Sequence, residues 1–153
     1  MPVVFLAGGV NTTPEITADG WPKCLWPVAN RPCVEYSLQR LKAAGATEFI
    51  FCLTGEHESS ERVLRELGRR HNITCILQEN IRGTAGALKD VVGRLRGTFI
   101  LAHSANAFDG DVRPMIAAHR EGGAIMTVGG VRPAAYPVYN ERIQRDPSGR
   151  VTA

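Results

Sequence analysis

Apolar and polar positions follow two periods along this chain, and the switches between them mark out its elements. Val3, Val4, Phe5 and Leu6 form a continuous apolar run that ends at Gly8-Gly9, the pattern of a strand covered on both faces. Val34, Leu38, Leu41 and Gly45 then recur on one face of a helix, with Pro32 suited to its first turn and Gly45 to its end. The alternation continues with a strand over 49–53 and a helix over 59–70 that turns Val63, Leu64 and Leu67 inward. A third strand over 73–77 leads to a helix over 84–95, with Ala85, Leu88, Val92 and Leu95 on one side. A strand over 98–102, a helix over 111–121 facing inward through Val112, Met115, Ile116 and His119, and a strand over 123–128 complete the series. Strands separated by helices of this length imply parallel β-α-β units with right-handed crossovers. The expected fold class is α/β, an open and mostly parallel Rossmann-like sheet with helices on both faces.

No repeat, low-complexity tract or linker divides the chain, so residues 1–153 read as a single domain. The last stretch changes character, with Pro133, Pro137, the turn-like Asp146-Pro147-Ser148-Gly149, and short strand candidates around Ile143 and Val151. The chain stops as a strand begins, so the fold is expected to be cut short at its C-terminal side.

Composition narrows the function classes. A hydrophobic fraction of 44% and a charged fraction of 22% are ordinary for a globular domain and argue against disordered, collagenous or disulfide-knot readings. No apolar run approaches the ~20 residues that span a bilayer, and the opening MPVVFLAGGV lacks the basic flank of a secretory signal. Cys24, Cys33, Cys52 and Cys75 form no C-x-x-C pair and no zinc spacing, which suits a reducing, cytoplasmic setting. The charge of +3 fits phosphorylated small molecules. Scattered arginines without interleaved aromatics do not indicate nucleic acid.

Residues 7 to 22 form a connection far longer than an ordinary β-α loop, at the strand end where parallel sheets bind ligands. Ala7-Gly8-Gly9 lets a ligand approach the backbone, although a tight turn explains the pair equally well. The wider pattern is more specific. Leu6-Ala7-Gly8-Gly9, then Trp21-Pro22-Lys23, then Pro27-Val28-Ala29-Asn30-Arg31-Pro32 resembles the front signature of sugar-1-phosphate nucleotidyltransferases. Further matches follow in order at Gln78-Glu79, at Gly83-Thr84-Ala85-Gly86-Ala87-Leu88, at His119-Arg120-Glu121, and at Gly149 to Ala153. The resemblance implies a nucleotide-diphospho-sugar transferase type of fold and a reaction joining a nucleoside triphosphate to a sugar phosphate with release of pyrophosphate. It implies nucleotide binding by Leu6, Gly8, Gly9, Lys23, Gln78, Gly83 and Thr84, with Lys23 on phosphate and Gln78 and Gly83 at the base.

The resemblance breaks where the chemistry is concentrated. In the ungapped register the family's catalytic Arg falls on Thr13, which cannot supply a forked cationic donor to pyrophosphate. The family's Mg²⁺-binding Asp falls on Ala105, whose methyl group cannot ligate a hard cation. No Arg occurs between Gly9 and Lys23, and no Asp between Phe99 and Phe108, so small slips of register change nothing. Asp109-Gly110-Asp111 resembles a D-x-D metal motif, against which Asp111 is also placed to cap the next helix. His103 reads as a polar strand-end residue, and Trp21 and Trp26 as stacking partners or as loop packing.

The reading that follows is a nucleotidyltransferase-like domain without catalytic residues. It would bind a nucleotide or nucleotide sugar and act as a regulatory or scaffold subunit, in a homo-oligomer or with a related chain. The alternatives are an active enzyme with a divergent metal site at Asp109 or Asp111, and an assembly module without ligand.

Overall fold

The computed structural model describes residues 1–8, 22–54, 58–80, 82–108, 110–130 and 143–152. Two compact units divide the chain, Met1–Val112 and Arg113–Ala153. The first holds β1 (Pro2–Leu6), β2 (Pro27–Val28), β3 (Arg31–Pro32), α1 (Cys33–Ala43), β4 (Glu48–Thr54), α2 (Glu58–His71), β5 (Ile73–Gln78), α3 (Gly83–Val91) and β6 (Ile100–His103).

Four of these strands form a parallel sheet in the order β5-β4-β1-β6. The chain moves outward from β1 to β4 to β5, then returns to the other side of β1. The order therefore reverses between β1 and β6, which is where such sheets open a crevice at their carboxyl ends. Register places Leu6 opposite both Cys52 and His103, and Thr54 opposite Gln78. The strand ends thus share one edge.

Alternate residues of each strand point to opposite faces, and both faces are covered. Val3, Phe5, Phe49, Phe51 and Leu53 meet Val34, Leu38 and Leu41 of α1 and Leu64 and Leu67 of α2. On the other face Val4, Leu6, Ile50 and Cys52 meet Ala87 and Val91 of α3. Phe5 and Phe51 stack with ring centroids 4.8 Å apart. This two-sided burial explains why the strands are continuous apolar runs. The helix α1 begins after Pro32 in extended geometry and ends at Gly45 with φ +91°. There Ala46 N–H donates to Leu41 O and Gly45 N–H to Lys42 O, a Schellman closure that needs a left-handed residue.

Four expectations are corrected. The helix expected over 84–95 ends at Val91 and continues as a 3-10 turn over Val92–Arg94. Its buried positions are Ala87 and Val91, with Leu88 and Leu95 packed beside them, while Ala85 and Val92 are exposed. Both sets of positions have helical spacing, and the sheet face of Val4, Leu6, Ile50 and Cys52 takes the one through Ala87 and Val91. The strand expected from Thr98 begins at Ile100, where pairing with Val3 starts. No strand forms over 123–128: Gly123 leaves α4 (Arg113–Gly122) with φ +59°, and Ile125 and Met126 are exposed. An apolar run becomes a strand only through a neighbouring ladder, and none pairs with it among the described residues. Finally, the helix expected over 111–121 spans Arg113–Gly122.

Within the second unit, His119 Nδ1 lies 3.0 Å from Thr127 Oγ1. The Asp146 to Gly149 turn forms as expected, with Gly149 N–H donating to Asp146 O and an antiparallel bridge joining Arg145 to Val151.

Candidate functional site

The site builds up from the carboxyl edge of the sheet. Leu6 ends β1, and its carbonyl accepts from both the backbone N–H (3.1 Å) and the hydroxyl (2.9 Å) of Ser104. Ala7 N–H donates to Cys52 O at 2.9 Å, which carries the chain one residue past the strand before it leaves the sheet. Gly8 follows at the surface. A Cβ there would lie 2.6 Å from Thr54 Cγ2, so only glycine fits this approach to β4. Thr54 is buried, and its hydroxyl has no hydrogen-bond partner among the described residues. Gly9, Thr13, Trp21 and Asp109 lie outside the described residues.

Lys23 opens a 3-10 turn, Lys23–Leu25, whose Cys24 and Leu25 are buried while Lys23 stays partly exposed. The Pro27 to Pro32 segment that follows folds as a small antiparallel hairpin of β2 and β3. Its two turn residues, Ala29 and Asn30, have φ of 47° and 63°, the left-handed pair of a two-residue hairpin turn. Asn30 suits that conformation. The hairpin is tied to α1 by Tyr36 Oη donating to Val28 O at 2.9 Å and by Arg31 over the Tyr36 ring.

The turn after β6 carries the position matched to the family's metal-binding Asp. Ala105 is exposed there, and its carbonyl accepts from the Cys33 thiol at 3.6 Å. Asn106 O accepts from Ser37 Oγ at 2.8 Å. Burial pushes the Cys24 thiol up to about 11, against a partial opposing effect from its hydrogen bond with Ser104. Cys33 is also raised by burial. The side chains of this turn are thus an exposed imidazole (His103), a hydroxyl already donating to Leu6 O, a methyl group and an amide. Magnesium takes hard oxygen donors, mostly carboxylates, and this donor set does not fit it. No group of three His, Cys, Asp or Glu side chains able to hold a metal occurs among the described residues.

At the opposite corner, Gln78 ends β5 and is buried. Its amide nitrogen donates to Asp90 Oδ2 at 3.2 Å, and Asp90 Oδ1 accepts from Arg82. Hydrogen bonds from Arg82 and then Gln78 hold the Asp90 carboxyl below its ordinary value. Gly83 begins α3 with φ +70°, and Thr84 is exposed in its first turn. A Cβ on Gly86 would collide with Arg82 Cβ, so this glycine lets Arg82 fold back along the helix.

Leu6, Gly8, Gln78, Gly83 and Thr84 lie on or just beyond the carboxyl ends of β1 and β5, whereas Lys23 lies in the 3-10 turn before the β2–β3 hairpin. Sequence reasoning did not single out Ser104, Cys33, Ser37, Thr54, Arg82 or Asp90. Arg82, Gly86 and Asp90 do carry a readable signal: spacing of i, i+4 and i+8 on one helix face, opposite charges at the ends and no side chain between.

A doubly wound parallel sheet with a glycine exit from its first strand and a glycine-opened helix at its edge belongs to the α/β class that binds ligands at strand ends. The chain belongs to the nucleotidyl transferase family, whose profile matches residues 3–152. It is 39% identical over 97 residues to the low-salt glycan biosynthesis nucleotidyltransferase Agl11 of Haloferax volcanii, covering 59% of this chain and 27% of that one. It is 29% identical over 153 residues to the bifunctional protein GlmU of Pelobacter propionicus, covering 97% of this chain and 32% of the relative. Among solved structures, a Bacillus anthracis protein described as a candidate glucose-1-phosphate thymidylyltransferase, in complex with sucrose, superposes with a TM-score of 0.69. At 21% identity, over 79% of this chain and 51% of that one, this likeness concerns the fold. The chain therefore spans about a quarter to a half of the length of these relatives.

Proposed function

We propose that this chain is the nucleotide-binding front part of a sugar-phosphate nucleotidyltransferase fold that holds a nucleotide or nucleotide sugar without turning it over. Gly8, Gln78, Gly83 and Thr84 beside the strand ends, and the motif that carries Lys23, support the binding half of this reading. The observation that carries the rest is the turn after β6, where Ala105 offers a methyl group at the metal-ligand position and its carbonyl is engaged by Cys33. Nucleotidyl transfer depends on neutralising phosphate charge in the transition state. Thr13 and Ala105, at the two matched positions, supply neither the forked cation nor the carboxylate that would do so. The role we propose is regulatory or scaffolding, beside a second copy or a related chain, in a reducing, cytoplasmic setting. All four thiols are unpaired, as such a setting requires, and among the described residues no helix is long and apolar enough to cross a membrane.

The test pairs a pyrophosphate-release assay with thermal shift, using nucleoside triphosphates, sugar 1-phosphates and nucleotide sugars with and without Mg²⁺. The expected result is a ligand-dependent rise in melting temperature that does not need magnesium, with no pyrophosphate released. A ligand at about a hundred times its dissociation constant adds roughly 2.7 kcal/mol. Introducing the missing ligand by Ala105→Asp should make the shift magnesium-sensitive while leaving pyrophosphate release absent, because Thr13 is unchanged. Pyrophosphate release by the native chain that disappears on Lys23→Ala or Asp111→Asn would overturn the reading in favour of an active enzyme with a divergent metal site.

A further inference from the structure

We propose that Asp90 is a positioning residue that fixes which end of the Gln78 amide a bound nucleobase meets, so that Gln78 accepts a hydrogen bond from the ring N–H of a uracil- or guanine-type base. This rests on the proposal that the carboxyl edge binds a nucleotide, and it adds the rule by which the base would be chosen.

The two ends of a glutamine amide have nearly the same shape, so partners decide its orientation. A carboxylate can only accept. Gln78 must therefore turn its nitrogen to Asp90, as the 3.2 Å contact shows, and its oxygen away. Asp90 is itself held ionised by Arg82, and Arg82 reaches it only because Gly86 leaves room along the helix. Gln78 is buried at the end of β5, opposite Thr54, which in turn contacts Gly8. An amide so placed cannot rotate without breaking its bond to a charged partner.

Uracil and cytosine have almost the same outline but differ at ring N3, a donor in one and an acceptor in the other. Guanine and adenine differ in the same way at N1. A fixed acceptor therefore discriminates within each pair on polarity alone, since facing two acceptors leaves both unpaired.

The experiment measures calorimetric affinities for UTP, CTP, GTP and ATP, without added metal, in the native chain and in Asp90→Asn, Arg82→Ala and Gln78→Met. The native chain is expected to prefer UTP over CTP, or GTP over ATP, by about tenfold, the value of roughly one hydrogen bond gained and one mismatch avoided. Asparagine both donates and accepts, so Asp90→Asn frees Gln78 to turn over, and the preference should fall to within about threefold while binding persists. Gln78→Met should lose the same preference. Arg82→Ala keeps the Gln78 to Asp90 bond and should keep it. A purely structural role for Asp90 would weaken all four nucleotides in step, and that result, an unchanged ratio, or a native preference for CTP or ATP overturns the proposal. Absence of binding of every nucleotide by the native chain overturns the nucleotide reading itself and this inference with it.

Discussion

The turn after β6 and the corner between β5 and α3 flank the same sheet edge, yet they are held in opposite ways. At the β6 turn, neutral side chains of Ser104, Ser37 and Cys33 all donate to backbone carbonyls, those of Leu6, Asn106 and Ala105. At the β5 corner, Arg82, Asp90 and Gln78 bind one another through charged or amide groups near the surface. The first arrangement preserves the path of the backbone whatever side chain position 105 carries. The second defines a polar surface and leaves the backbone to the helix. Shape and chemistry are thus separable at this edge, and a change of side chain at position 105 need not disturb the polar corner beside β5.

The largest break in the comparison should come from Gly8, which leaves β1 against Thr54 of β4. Gly8→Ala sets a methyl group against Thr54 in a packed region, and such overpacking costs about 1–3 kcal/mol. Chemical denaturation should show the loss, and adding Thr54→Ser, which removes the offending Cγ2, should recover most of it. Ser104→Ala comes next. Leu6 O keeps its backbone donor, so the expected cost is about 1 kcal/mol, read as a fall in melting temperature without change at the β5 corner.

A smaller effect belongs to pH. His71 at the end of α2 is buried beside the edge of Phe49, with Nδ1 unpartnered among the described residues. Burial, then Lys42 and Arg70 nearby, lower its pKa, and Glu35 only partly opposes them. Neutral imidazole is therefore favoured in the folded chain. The unfolded chain binds more protons once pH drops below about 6.5. Stability should be complete above that point and decline on acidification until the folded-state pKa is passed. Melting curves between pH 7.5 and 5 should show that decline, and His71→Gln should flatten it. The smallest effect should be that of Arg82→Ala on stability, because exposed ion pairs contribute little. A melting temperature unchanged within about a degree would sharpen the contrast, since the same residue sits in the polar corner.

Much of the fold could be read from the chain because its strands are buried on both faces. Runs such as Phe49 to Leu53 admit few other interpretations, and Gly45 marks the end of α1 by its left-handed conformation. The segment 123–128 misled because Ile125, Met126 and Val128 have the composition of a strand, whereas pairing depends on neighbours that composition does not specify. The face of α3 was misplaced because Ala87, Leu88, Val91 and Leu95 have helical spacing as good as that of Ala85, Leu88, Val92 and Leu95, and only packing on the sheet chooses between them. That Gly8, Gln78 and Gly83 stand beside strand ends could be read from the runs that precede them. The anchors could not: Ser37 and Asn106 lie 69 residues apart, and Ser104 and Leu6 98. A serine that bonds a distant carbonyl looks like any other serine until the chain is folded.

The buried cysteines add a practical consequence. Alkylating reagents attack the thiolate, and burial pushes both Cys24 and Cys52 up to about 11 while hiding them from solvent. Labelling of either must wait until its surroundings open. Cys24 packs with the α1 side near Ser104, and Cys52 faces Ala87 of α3, so the two thiols time the breathing of opposite faces of the sheet. A single mass-spectrometric labelling course then yields two clocks, and a ligand seated along the edge should slow each according to the face it steadies.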